Sequence, residues 1–414
     1  MLIPIAMSLL ATATVLPAAA PHPKPHKATA VQVKVLLADA NAAAYQSCVE
    51  PAPSGAPAGF QLSHAYPAVM PAPSAPYPWE AFDFTTQPEL YAKAVLQYAR
   101  ADLDAVNWDA SKVPTRWFHA PWMAFGPESG SGREYFHGMT KERTVTQAEL
   151  VKGGSKAAKY ADYAVGYYND VAGWTFGQVF SVDPSHPDGS QALFANGACG
   201  VKLLFTSADG TKVPSLSSTL SWPCDVYDAT SKGRKQEMVQ LLQVDIAVRD
   251  KRNDARTGWV FGTFAYNGSA TGTDPLDRLE LVGLMWGNDP TALANGGPLT
   301  ETWINTAIGT YQHLGREGRL NGPVDNPISS CLSCHSTAQI PKPASMTPPA
   351  GATDAQAANW FRNIPAGQPF SSGATPLDYS LQLGVGFINA SAWAKAHPSG
   401  VPMMKMKAIH QFMR

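Results

Sequence analysis

Five consecutive residues, Cys331-Leu332-Ser333-Cys334-His335, set two thiols about one turn apart and place an imidazole directly after them. Thiols at that spacing can add across the two vinyl groups of a porphyrin, and the imidazole then binds the iron from the proximal side. C-x-x-C-H therefore reads as the attachment site of one covalent c-type haem, with Cys331 and Cys334 as the thioether residues and His335 as the proximal iron ligand. Two other chemistries use a C-x-x-C. Structural zinc asks for two more Cys or His at short spacing, and His313 and His397 sit at no recognised ligand interval. A thioredoxin-like dithiol opens a helix after a strand, whereas Pro327, Pro341 and Pro343 crowd this motif.

Haem attachment of this kind takes place outside the cytoplasm, so an export signal is expected. The apolar stretch Leu2 to Leu16 contains Pro4, is followed by Ala18-Ala19-Ala20 and falls short of a membrane span. Residues 1–30 are expected to be a signal peptide, cleaved after Ala20 or after Ala28-Thr29-Ala30, with no membrane span in the mature chain. No Lys or Arg precedes the apolar run, and no twin arginine is present, so export of the unfolded chain into the periplasm, with haem added afterwards, is the expectation.

Composition narrows the function further. The 414 residues are 45% apolar, enough for a substantial core, and the net charge is −1 with no block of Lys or Arg. Nucleic-acid and anionic-membrane partners are therefore not expected; a redox partner protein or a small-molecule oxidant or reductant is. Charged residues are 15% of the chain, and 34 Gly with 35 Pro suit β-structure with long loops. G-x-S-x-G, H-E-x-x-H and Gly-rich nucleotide loops are absent, which argues against hydrolase, zincin and dinucleotide chemistry. Of the three other cysteines, Cys199 and Cys224 flank one apparent hairpin region and are the preferred disulfide pair, leaving Cys48 near the mature N-terminus.

The elements that must position the motif follow from pattern. The fold class expected is α+β: a mainly antiparallel β central domain, peripheral helices and a loop-rich C-terminal haem c segment. Residues 31–160 read as a region of loops and one helix, with prolines scattered from Pro51 to Pro78 and a helix from Pro88 to about Val106. Residues 161–298 read as β-rich, with strands at Val165–Tyr168, Trp174–Phe180, Val201–Phe205, Val239–Arg249, Trp259–Tyr266 and Leu279–Trp286. Asp209-Gly210 and Asn267-Gly268 mark turns between them, and Met285 reads as core. Residues 299–414 are the expected haem region, with helices around Thr302–His313, Asp354–Arg362 and Ala390–Ala396.

Met403, Met404 and Met406 follow the motif at about the spacing of the distal Met in a helical class I cytochrome c domain, and Met403 or Met404 is the candidate distal ligand. The intervening prolines, from Pro341 to Pro376, leave room for few helices. The alternative packs the haem on a sheet. Phe194-Ala195-Asn196-Gly197, Val201-Lys202-Leu203-Leu204, Val248-Arg249-Asp250, Thr257-Gly258-Trp259 with the strand after it, and the late C-x-x-C-H occur in the order in which similar pieces occur in the cytochrome P-460 and β-sheet cytochrome c-prime group, which the chain resembles over about a third of its length. The resemblance implies an iron whose only protein ligand is His335, with an open distal face. It also singles out Lys202 as the match to the lysine that crosslinks to haem in the P-460 branch. Read from the strand alone, Lys202 is a solvent-facing residue of an amphipathic strand.

Trp117-Phe118-His119-Ala120-Pro121-Trp122-Met123 and Gly132-Arg133-Glu134-Tyr135-Phe136-His137-Gly138 are dense in aromatics around a histidine, beside Arg143. They can line a haem pocket, with Arg pairing to propionates, and His119 or His137 is then a candidate distal ligand; packed loops with hydrogen-bonded histidines are the plainer reading. The expected function is single-electron transfer by a periplasmic monohaem cytochrome. The alternatives are a five-coordinate haem oxidoreductase or gas-binding protein acting on hydroxylamine, peroxide or nitric oxide, and a Trp-rich β-domain for sugars or surfaces with an appended haem.

Overall fold

A computed structural model describes residues 62–72, 75–123, 139–180, 186–228, 233–308, 314–322 and 325–398. The signal-peptide segment, Cys48, Arg133, His137, Met403, Met404 and Met406 lie outside the described residues. The architecture is α+β, built on one nine-stranded antiparallel sheet. Its strands are β1 (Trp117–Phe118), β2 (Thr140–Thr146), β3 (Lys159–Asn169), β4 (Cys199–Thr206), β5 (Ser221–Asp228), β6 (Gly233–Arg249), β7 (Trp259–Tyr266), β8 (Leu279–Met285) and β9 (Thr302–Ile304). The order is β1-β3-β4-β6-β7-β8-β9. Strands β1 and β2 share one edge of β3, and β4 and β5 share one edge of the long β6. Strands β1, β2 and β9 thus come from outside residues 161–298. A small second sheet pairs β10 (Gln339–Ile340) with β11 (Thr375–Pro376).

Alternation along the central strands divides the sheet into two faces. Val165, Tyr167, Val201, Leu203, Val244, Ile246, Val248 and Val260 form one face and are buried in the main core. Helix α1 (Pro88–Leu103) covers this side with Tyr91, Val95, Ala99 and Leu103, and the Tyr91 hydroxyl donates to Asp250 at 3.0 Å. Pro88 at the first helical turn starts the helix where an amide donor is not needed. The other face carries Gly166, Tyr168, Gly200, Lys202, Asp245, Ala247, Phe261 and Thr263, and it bears the site. No helix among the described residues is long and apolar enough to cross a membrane.

Four sequence expectations are corrected. Trp174–Phe180 is not a strand but part of helix α2 (Asp170–Phe180), which is buried on most sides, and its Trp174, Thr175, Phe176, Val179 and Phe180 are residue types that strands also favour. Asn169, whose Oδ1 accepts from the Ala172 amide at 3.1 Å, caps its start. The helix expected from Thr302 begins instead as β9, whose β-branched and aromatic residues extend the edge of β8. The helix placed at Ala390–Ala396 is present, as the end of a longer one, α4 (Leu381–Ala396), whereas the one placed at Asp354–Arg362 is helical only over Asp354–Ala357. Cys199 and Cys224 are both buried, and no disulfide joins them. Their cross-strand partners on β6 are Val248 and Glu237, which separates them by about 35 Å along that strand, far beyond disulfide reach.

Candidate haem site

The motif forms a single helical turn, α3 (Cys331–His335). Residues at i, i+3 and i+4 share one face of a helix, so Cys331, Cys334 and His335 point the same way while Leu332 and Ser333 are buried behind them. Ser330 fixes the turn: its Oγ accepts from the Ser333 amide at 3.2 Å, and the Ser330 amide donates to Ser333 Oγ at 2.8 Å. The Cys331 amide donates to Leu320 O at 3.1 Å. Arg319, fully buried, ties this stretch to the end of the sheet by donating to Asn288 O at 2.9 Å and Asp289 O at 2.8 Å.

All three motif side chains line one cavity of about 740 Å³, within the range of cofactor sites. Its floor is the sheet face. One cross-strand row runs Gly166, Lys202, Asp245, Thr263, and the next runs Tyr168, Gly200, Ala247, Phe261. The small residues leave the floor flat: a Cβ at Gly200 would stand 3.1 Å from the Tyr168 ring, and one at Gly166 2.9 Å from its hydroxyl, so that ring lies across both glycines. The Phe261 ring packs on His335 with centroids 4.7 Å apart. Met123, Lys141, Arg143, Asp325, Met346 and Leu381 are among the cavity's other lining residues.

His335 is held as a neutral imidazole. Its Nδ1 lies 2.8 Å from Tyr379 O, a group that can only accept, so Nδ1 carries the proton and Nε2 keeps the lone pair. Burial pushes the imidazole down to about 4, which keeps the ring neutral at neutral pH. Burial raises both thiols, Cys334 to about 12 and Cys331 well above its ordinary value, with Asp325 and Asp245 adding to the latter. These are free, protonated thiols, the reverse of the acidic thiolate that drives disulfide exchange. They also do not converge on a common point with His335: among the described residues, no three His, Cys, Asp or Glu side chains are grouped to hold a metal ion. The residues fit a covalently attached, planar group with one imidazole ligand.

Lys202 is on the polar face of its strand, as alternation requires, but that face is covered by the cavity rather than by solvent. Its Nζ pairs with Glu142 at 3.1 Å, the two side chains being 28% and 33% exposed. Burial works against its charge, yet Glu142, Asp245 and Asp325 hold the ammonium above its usual value. Asp245 is raised by burial and by Asp325, against the pull of Lys202, and it accepts from Thr263 at 2.8 Å and Gln243 at 2.9 Å. His119 is buried beside this region with Nδ1 at 2.8 Å from Gly166 O and Nε2 at 3.0 Å from Ala110 O, so both ring nitrogens are engaged by backbone and neither is offered to the cavity. Arg143 lines the cavity while paired with Glu149. Met285 is core, as expected, with 0% exposure. Sequence reasoning missed Met346, Glu142 and Asp245 as cavity residues; only the alternation of β6 signalled Asp245.

No family model, no curated protein and no solved structure matches this chain.

Proposed function

We propose that this chain is an exported, periplasmic monohaem c-type cytochrome that holds one covalent haem in the cavity between α3 and the sheet and transfers single electrons with a redox partner. The observation that carries the reading is the placement of Cys331, Cys334 and His335 on one face of a single turn, against a flat-floored cavity of about 740 Å³. When bound, the haem supplies an iron that cycles between its ferric and ferrous states. The chain's residues do the rest. Cys331 and Cys334 anchor, and His335, oriented by the Tyr379 carbonyl, offers a neutral nitrogen. Tyr168 and Phe261 supply aromatic surface for packing, and Lys141 and Arg143 line the cavity with cations to which carboxylates can pair. A haem seated on a sheet face is also what the resemblance to the cytochrome P-460 and β-sheet cytochrome c-prime group implies.

A second reading is favoured by Lys202, Glu142 and Asp245, which bring titratable groups to the cavity floor. In it the iron keeps an open position and the protein acts on hydroxylamine, peroxide or nitric oxide, with the floor holding and moving protons. The experiment is an absorption spectrum of the exported protein, oxidised and dithionite-reduced, with and without carbon monoxide. A sharp reduced α band unmoved by carbon monoxide supports the carrier, and a Soret band that shifts supports the open site. A protein purified from haem-competent cells without a covalent haem spectrum overturns both.

A further inference from the structure

His335 is oriented by a turn whose conformation ordinary residues resist. Residues Leu377 to Ser380 close with the Ser380 amide donating to Leu377 O at 2.9 Å. The two central residues are both left-handed and neither is glycine: Asp378 has φ 46° and Tyr379 φ 66°. Two consecutive positive φ values are normally the province of Asn, Asp and Gly, and a tyrosine in the second place persists only where its surroundings over-determine it. Here they do. Asp378, 2% exposed, accepts through Oδ2 from the Phe194 amide at 2.8 Å, and through Oδ1 from the Trp259 indole at 3.2 Å and the Gly367 amide at 3.1 Å. The Tyr379 hydroxyl donates to Ile364 O at 2.5 Å. The carbonyl these contacts fix in space, Tyr379 O, is the one that accepts the hydrogen bond of the His335 Nδ1–H.

We infer that Asp378 is a positioning residue for the iron ligand: by tying the 377–380 turn to three separate segments, it holds the Tyr379 carbonyl that orients His335 and strengthens its electron donation. The inference rests on the haem reading above. A strong Nδ1–H to carbonyl bond makes the imidazole a better donor and favours the ferric state. A loosened turn weakens that bond and raises the reduction potential.

The test compares haem-loaded wild type with Asp378→Asn. Asn tolerates the left-handed backbone, but its single amide oxygen cannot serve all three donors, and its NH2 must face one of them. Covalent haem is confirmed first by mass; its absence from wild type would sink the haem reading itself. The readouts are the exchangeable His335 ring N–H resonance in the reduced protein and the reduction potential. The expected result is exchange of that proton at least tenfold faster, with a potential shifted upward. Unchanged exchange and potential, even with a lower melting temperature, would make Asp378 a merely structural residue and overturn the inference. Should D378N fail to load, Trp259→Phe removes one of the three donors and keeps the ring packing; a smaller shift in the same direction supports the inference, and no shift refutes it.

Discussion

Asp162 sits on β3 with 0% exposure, and neither carboxyl oxygen has a hydrogen-bond partner of good geometry. Burial pushes it up to about 7, while Thr206 across the strand pair and Arg143 draw it back only in part. Unfolded, the same carboxyl titrates near 3.8. Between those values the folded chain holds a proton that the unfolded chain has lost, so stability is full below about 4 and declines as pH rises through about 7. Above both values the ionised carboxylate costs roughly 4 kcal/mol relative to acid conditions. Asp162→Asn keeps the shape and removes the titration. The stability gap between the variant and wild type should therefore move by roughly 4 kcal/mol in the variant's favour between pH 4 and pH 8. An unpaired buried amide costs about 1–3 kcal/mol at every pH, so the variant is expected to be the less stable protein in acid and the more stable at pH 8. Urea unfolding across that range, on the same loaded form of both proteins, reads the gap directly, because all other carboxylates cancel in the difference. A gap that stays constant with pH would show that Asp162 is solvated or paired in the folded protein and would refute the reasoning.

Replacing Cys331 or Cys334 singly by Ser should leave haem held by one thioether, seen as a haem-stained band and a red-shifted reduced α band, while the double variant should lose the haem under denaturing electrophoresis. His119→Ala should cost roughly 2–4 kcal/mol in a denaturant titration, because it removes a buried ring and the hydrogen bond its N–H donates to the Gly166 or the Ala110 carbonyl. The iron's absorption spectrum should not change; a changed coordination spectrum would restore His119 as a ligand. Lys202→Met should destabilise by about 1–2 kcal/mol at pH 7, a figure kept small because the Glu142 pair is partly exposed. Asp245→Asn should flatten any dependence of the reduction potential on pH near 7, where the wild-type potential is expected to fall as Asp245 ionises and its charge favours ferric iron; an identical pH profile in both proteins would exclude Asp245 as the group responsible.

The shared face of Cys331, Cys334 and His335 was legible because it is local: i, i+3, i+4 spacing puts the three side chains on one side of a turn whatever the rest of the chain does. The central strands were legible from alternation in β3, β4, β6 and β7. What alternation cannot reveal is what covers a face, so Lys202 read as solvent-facing when its face is roofed by residues from the far end of the sequence. Strand β2 escaped because Thr140-Lys141-Glu142-Arg143 has no apolar alternation. In β5, Trp222, Cys224 and Val226 do alternate, and Pro223 is tolerated because the strand lies on an edge of β6. For α2 the β-favouring Trp174, Thr175, Phe176, Val179 and Phe180 pointed to a strand, and the Asn169 cap shows only in the structure. Nothing in the sequence near Leu377-Asp378-Tyr379 announces a contact with His335, since it depends on a turn and on donors from three distant segments.

The two readings of the iron place different demands on the same floor. A six-coordinate carrier needs a sixth donor atom over that floor. Among the described residues, Met123 and Met346 bring thioethers to the cavity, and Met346 keeps 52% of its surface exposed. An open site needs polar groups held off the iron and able to exchange protons. Lys202 and Glu142 are tied to each other, and Asp245 is tied to Gln243 and Thr263. Charges gathered in a partly enclosed cavity cost stability that pairing only partly offsets, and such clusters mark functional sites. In the carrier reading their use is to couple the potential to pH; in the enzyme reading it is to pass protons to substrate. Either way Asp245, rather than the motif residues, is where the two readings separate.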